Sequence, residues 1–280
     1  MSNQGRLSDA KKRNDDTTPF TEDNSPVVKL FRNYQIELDT KYDKYERLIK
    51  KSRDLTIESK RIIFLLHRVS SDKNKNEILQ EAATRLNNLY NDVIKGISSE
   101  LTKRELHKFI RAFSPGLQEF VEAVSFYYYL KNETIISIEE IHHPDFLQIP
   151  SEVKADLSTE EQHQVTELPL SSLLTPVDFI LGIADLTGEL MRKCINSVAA
   201  GDIDEPFKLC DVLQNIYEAL GSYNYKKELK RKLFVFKSSL QKVENACYAI
   251  KIRGSEIPKH LLADFFSTED EYKQNIDCDI

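Results

Sequence analysis

The 280-residue sequence predicts an all-α protein, a bundle of about seven long helices. Three observations carry that prediction. Only 8 Gly and 9 Pro accompany 30% charged and 40% hydrophobic residues, a composition that favours long helices over turn-rich sheet. From Val28 to Val69 there is neither Gly nor Pro. Through that stretch and several later ones, apolar residues recur at intervals of three and four, the period of one helical face.

Residues 1–27 are polar, include Pro19 and Pro26 and show no periodicity, so they read as a disordered leader. Its Lys11-Lys12-Arg13 cluster is short, and reads either as part of a nuclear import signal or as a solvated tail. The first long helix covers 28–69, with Leu30, Phe31, Tyr34, Leu38, Tyr42, Tyr45, Leu48 and Ile49 on its apolar side. Lys41, Lys44, Arg47, Lys50, Lys51, Arg53, Lys60 and Arg61 lie between them, either as a solvated flank or as a surface for RNA.

A second helix is expected over 76–97 and a third over 102–130, with a bend near Ser114-Pro115-Gly116. Residues 142–170 then carry Pro144, Pro150 and Pro169 among polar residues, and read as a mobile connection. Thr175-Pro176 is an N-cap followed by a proline in the first turn, and opens a helix to about Ala200, where Gly201 stops it. Further helices follow over 204–220, 226–253 and 258–266, and 267–280 forms an acidic tail. The helical domain is thus 28–266.

Composition also narrows function. No run of apolar residues is long enough to span a bilayer, and the N-terminus lacks a signal-peptide core, so the expectation is an intracellular protein, cytoplasmic and nuclear, without membrane contact. Cys194, Cys210, Cys247 and Cys278 form no CxxC and read as reduced thiols. The net charge of −6 has the wrong sign for a nucleic-acid binder acting alone, so a partner would supply much of the positive charge.

The chemistry centres on GLQEFVEAVSFYYYL, residues 116–130. Glu119 and Glu122 lie one turn apart on a helix that is apolar on its other faces. The helix after Thr175 repeats the anomaly, with Asp178, Asp185, Glu189, Arg192 and Asn196 on one polar stripe, and Gly182 and Gly188 available for close approach of another helix. If the two stripes face each other, Glu119, Glu122, Asp185 and Glu189 share one low-dielectric place, where they must be protonated or share a cation. Oxygen-only donors favour Mg²⁺, with Mn²⁺ as substitute, over zinc. Phosphodiester hydrolysis is the natural chemistry of such an ion. The competing reading makes the later stripe the wet face of an amphipathic helix, with Arg192 pairing the glutamates.

Other constellations are weaker. The Glu-x-x-His spacings around Glu139 to His143 and Glu160 to His163 border the Pro-rich connection and lack the long helices that a di-iron bundle requires. There is no GxSxG and no phosphate-cradling glycine loop, and His67, His107 and His260 have no evident nucleophile partner. The basic run Lys226, Lys227, Lys230, Arg231 and Lys232, flanked by Tyr223, Tyr225, Phe234 and Phe236, is a candidate surface for single-stranded nucleic acid. Cations there oppose the dipole at a helix N-terminus, so helix stability does not explain them.

Four blocks, KYERLIKKSRDLTIESKRIIFLLHR, GLQEFVEAVSFYYYL, TPVDFILGIADLTGELMRKCINSVAAGDIDEPF and KVENACYAIKIRGSEIPKHLLADFF, together resemble the catalytic branch of the translin family in the same order. The resemblance implies a helical fold and assembly with the paralogue translin into a closed hetero-octamer. It further implies Mg²⁺-dependent endoribonuclease activity on single-stranded RNA, which promotes activation of the RNA-induced silencing complex by removing passenger-strand fragments, and a link to transfer-RNA processing. Single-stranded DNA is a further candidate ligand. The family's Gln-Glu-aromatic-Val-Glu motif falls on Glu119 and Glu122, and Ala-Asp-Leu-Thr-Gly-Glu on Asp185 and Glu189. All four are thereby implied as metal-binding and catalytic residues. The remaining alternatives are a non-catalytic scaffold for translin and a single-stranded nucleic-acid binding module.

Overall fold

A computed structural model describes residues 25–69, 72–142, 168–221 and 227–253. The expected leader up to residue 24, most of the expected connection (143–167), Lys226, the expected helix over 258–266, Cys278 and the acidic tail lie outside the described residues. No described residue is in a strand, and no described helix is long and apolar enough to cross a membrane. The long first helix, α1, spans Pro26–Leu66. Contacts divide the chain within it, into 1–43 and 44–280.

In the first unit, the described residues form the opening turns of α1 and leave Val27, Phe31, Tyr34, Leu38 and Tyr42 exposed. Phe31 and Tyr34 meet edge to face at 6.4 Å, and Lys41 pairs with Glu37 one turn earlier at 2.5 Å.

The second unit holds the core. α2 spans Asp72–Leu89 and runs through a π turn at Tyr90–Ile94 into α3, Lys95–Ser99. The expected single helix over 76–97 is therefore continuous with one widened turn. α4 covers Leu106–Asn132, starting later than the expected Thr102. The reason is local: the Glu105 carboxylate accepts from the Thr102 backbone N–H at 3.2 Å and hydroxyl at 2.8 Å, closing a separate turn before the helix. Lys44 adds an ion pair to Glu105 at 2.9 Å, and these hydrogen bonds hold its carboxyl down to about 2.

α4 continues through Pro115. Beside that proline the Gly116 N–H donates to Ser52 Oγ of α1 at 3.1 Å, and the same hydroxyl reaches the Phe113 carbonyl at 3.5 Å. A Cβ at Gly116 would stand 2.7 Å from the Ser52 carbonyl oxygen, so only glycine admits α1 this closely. Beyond it, nearly every side chain from Leu117 to Leu130 is buried, as expected of a helix apolar all round.

Two short helices follow, α5 at Ile138–His142 and α6 at Leu170–Leu173. Glu140 of α5 accepts from the Ser137 N–H at 2.8 Å and the Tyr128 hydroxyl at 2.6 Å, a structural use of that carboxylate. Leu168, Leu170, Leu173 and Leu174 are buried, and the Ser98 hydroxyl donates to the Leu168 carbonyl at 2.7 Å. The end of the expected connection is thus part of the core.

α7 spans Pro176–Ala199, with Thr175 as N-cap accepting from the Asp178 N–H at 3.1 Å. Gly201 ends it in the left-handed region, φ 82°. α8 covers Glu205–Gly221 and α9 Lys227–Arg253. α7 lies at the centre, packed on α4, α8 and α9. Cys194, Cys210 and Cys247 are buried free thiols there, and burial pushes Cys194 and Cys247 up to about 12, which leaves them unreactive.

Candidate active site

Among the described helices, α4 and α7 share the most extensive contact, and Gly182 explains why it is close. A Cβ at that position would fall 2.7 Å from Val121 Cβ and 2.8 Å from the Gln118 carbonyl oxygen. Gly188, expected to serve the same purpose, has no other atom within 4 Å of its would-be Cβ, and instead lines a cavity. At the start of α7, Asp178 is buried and accepts from the Ser114 hydroxyl at 2.5 Å, Gln118 Nε2 at 3.0 Å and the Thr175 hydroxyl at 2.7 Å. This carboxylate ties α7 to α4 and holds the Thr175 hydroxyl that caps the helix. It belongs to the polar stripe by spacing, yet its oxygens are fully used in structure.

The other carboxylates behave differently. Glu122 is 8% exposed, and its carboxyl is pushed up to about 8, first by burial and then by the charges of Asp185, Glu119 and Glu189, against the opposing pull of Lys232. The charges of both predicted stripes are thus felt at Glu122, on helices α4 and α7 that pack together. No basic side chain pairs directly with Glu122 among the described residues.

Each of its three neighbours has such a partner. Lys60 of α1 stands 3.3 Å from Glu119. Lys232 of α9 pairs with Asp185 and also donates to the Leu181 carbonyl at 3.3 Å. Glu189 is hydrogen-bonded to His67, the residue just after α1, with Arg192 at 3.7 Å. The bond from His67 holds the Glu189 carboxyl below the usual carboxylate range despite its burial. Paired in this way, the side chains do not converge: among the described residues, no three Asp, Glu, His or Cys side chains are grouped as a ready-made metal cage.

Within the basic run, Lys227, Lys230 and Arg231 are exposed on the first turns of α9, and Lys226 lies outside the described residues. Lys232 turns inward to Asp185. Arg231, Lys232, Asp185, Gly188 and Val235 help line a cavity of about 380 Å³ beside the carboxylates.

Sequence reasoning placed Lys60 only in a general basic flank of α1 and missed Phe64 and the pairing of His67 with Glu189. Lys60, Phe64 and His67 follow one another at four and three residues, so they lie on one side of the helix end, and all three reach the acidic site or its neighbours. Phe64 carries the Arg192 guanidinium 5.4 Å from its ring centre. The only signal in the sequence was that spacing, which resembles any amphipathic flank.

The sequence model of the translin family matches residues 43–254. Translin-associated protein X from Mus musculus is 46% identical over 274 residues, covering 92% of this chain and 93% of that protein. The Rattus norvegicus protein of that name is 47% identical over 254 residues, 88% and 86% of the two chains. The homologue from Schizosaccharomyces pombe is 27% identical over 239 residues, 81% and 87%. Among solved structures, AfC3PO in a duplex RNA complex superposes with a TM-score of 0.58 at 19% identity, covering 81% of this chain and 99% of that one. Apo-NeC3PO gives 0.53 at 21% identity, covering 77% and 94%. At those identities the structures establish a shared helical fold. With the family matched over most of its length and mammalian relatives near half identity, this chain belongs to the translin family.

Proposed function

We propose that the protein is the catalytic subunit of a translin-containing endoribonuclease, in which Glu119, Glu122, Asp185 and Glu189 form a Mg²⁺ or Mn²⁺ site that cleaves single-stranded RNA. The observation that carries this reading is Glu122, a buried carboxyl that feels the charges of Asp185, Glu119 and Glu189 and has no direct cationic partner among the described residues. A fold gains nothing from such a cluster, because each added like charge raises the cost of ionising the buried member.

The donor set fits a hard divalent cation. All four side chains offer oxygen, and a cation would restore the ionised form that burial now disfavours at Glu122. The lack of a complete protein cage agrees with Mg²⁺, which characteristically takes one or two carboxylates and fills its remaining positions with water and substrate phosphate. Glu122 and Glu189, with Glu119 and Asp185 beside them, are the residues that would hold it. When bound, such an ion polarises a phosphoryl oxygen and makes water acidic enough to attack near neutral pH. Lys60, Lys232 and Arg192 supply positive charge for the substrate phosphates, and His67 keeps Glu189 oriented.

Translin as partner is supported by the family and by the similarity to translin-associated protein X. It also accords with a net charge of −6, which calls for a partner carrying positive charge, and with the exposed apolar side chains of the first turns of α1. RNA as ligand is supported by the solved relative that holds duplex RNA. We extend the same reading to removal of passenger-strand fragments during activation of the RNA-induced silencing complex, in cytoplasm and nucleus.

One observation favours a second reading. Because Glu119, Asp185 and Glu189 each hold a basic partner, the cluster could be a structural network in a non-catalytic scaffold for translin. Cleavage of a single-stranded oligoribonucleotide by the reconstituted translin assembly separates the two. Glu122→Gln and Asp185→Asn should each lower Mg²⁺-dependent cleavage by roughly 100-fold or more, with assembly size unchanged. Undiminished cleavage overturns the catalytic assignment.

A further inference from the structure

Phe64 is 60% exposed although it lies among the buried Ile62, Ile63, Leu65 and Leu66 near the end of α1. A large aromatic in water at that place contributes little to the fold. Its surroundings are specific: Lys60, four residues before it, stands 3.3 Å from Glu119, and His67, three residues after it, is bonded to Glu189. Arg192, one turn beyond Glu189 on α7, holds its guanidinium 5.4 Å from the Phe64 ring centre and 3.7 Å from the Glu189 carboxylate. The ring therefore lies on the same side of the helix end as Lys60 and His67, which touch Glu119 and Glu189, and has Arg192 beside it.

The geometry points to Phe64, with Arg192, as a stacking platform for the nucleobase next to the phosphodiester cleaved at the carboxylate site. Single-stranded nucleic acid is held by this combination, cationic side chains along the backbone and an aromatic face for the base. The guanidinium beside the ring contributes twice, through cation–π contact with Phe64 and through charge for the adjoining phosphate. A subunit contact is the competing use of an exposed Phe beside Arg, since both are enriched at interfaces. Lys and Glu are depleted there, however, and the pairs of Lys60 with Glu119 and of His67 with Glu189 lie on the same side of the helix end. Every base has a π face, so the platform predicts tolerance of sequence together with a requirement for some base at that one position.

This inference rests on the ribonuclease reading, and the test keeps the two apart. The chain contains no Trp, so Phe64→Trp introduces a reporter whose signal is the difference from the wild-type translin assembly. In an Asp185→Asn background, which prevents turnover, a single-stranded oligoribonucleotide should quench that fluorescence. An abasic nucleotide at the position flanking the cleavage point should abolish the quenching. Phe64→Ala should weaken binding roughly ten-fold, with Phe64→Trp restoring it, and the abasic substitution should then cost Phe64→Ala nothing further. Absence of quenching, equal affinity of Phe64→Ala, or an abasic penalty that persists in Phe64→Ala overturns the platform. So does a Phe64→Ala chain that no longer assembles with translin, which would make Phe64 a subunit contact. Continued cleavage by Asp185→Asn would instead overturn the ribonuclease site itself.

Discussion

His67, one residue past the end of α1, is hydrogen-bonded to Glu189 on α7, and its ring also lies 4.8 Å from that of Phe126 on α4. One imidazole thus touches both helices that carry the carboxylates. Packing against Phe126 fixes the ring, and the ring fixes Glu189.

Replacing His67 by Ala removes the partner of a carboxylate that is largely sheltered from solvent, and should cost about 1–3 kcal/mol. Because His67 depresses the Glu189 carboxyl, the stability from this pair is present above the ordinary carboxylate range and disappears as pH falls through the depressed value. Urea denaturation at pH 7 should therefore separate wild type from His67→Ala more widely than the same measurement near pH 3. An equal difference at both would refute the coupling.

Glu122 has the opposite sign. Its folded-state carboxyl titrates at about 8, so its contribution is fully present below the ordinary carboxylate value and is lost as pH rises toward 8, by about 1.4 kcal/mol per unit at most. Glu122→Gln mimics the protonated form. In chelator it should stabilise the protein at pH 8 and leave it nearly unchanged at pH 4.5, as followed by thermal melts. Added Mg²⁺ should stabilise wild type more than Glu122→Gln.

The two α7 glycines should respond differently to the same substitution. Gly182→Ala forces a methyl group within 2.7 Å of Val121, and overpacking of this kind costs about 1–3 kcal/mol. Gly188→Ala meets nothing within 4 Å, and should stabilise the helix by about 0.5–1 kcal/mol. Chemical denaturation of both variants measures the contrast.

Asp178 offers the control for the site itself. Asp178→Ala loses three side-chain hydrogen bonds, one of them to the helix-capping Thr175, a loss of roughly 2–3 kcal/mol. Cleavage per folded assembly should remain close to wild type at a temperature where the variant is folded. A loss comparable to that in Asp185→Asn would place Asp178 in the chemistry.

Sequence alone determined the long helices among the described residues and singled out the four carboxylates as candidates. Thr175-Pro176 and Gly201 bracket α7 in the chain as they do in space, because capping and helical period are interactions between residues a few positions apart. Glu119 and Glu122 were conspicuous for the same reason, as charges on a helix with apolar neighbours on its other faces. The family resemblance then named RNA and translin, which spacing alone does not reveal. Only the tertiary structure decided that Asp178 is a structural tie while the charges of Asp185 and Glu189 reach Glu122. It also decided that Lys60, His67 and Lys232 are their partners, and that Gly182 rather than Gly188 admits the neighbouring helix. Those outcomes depend on which faces of α1, α4, α7 and α9 meet. That is fixed by packing between residues 47 to 122 positions apart, and local periodicity carries no record of it.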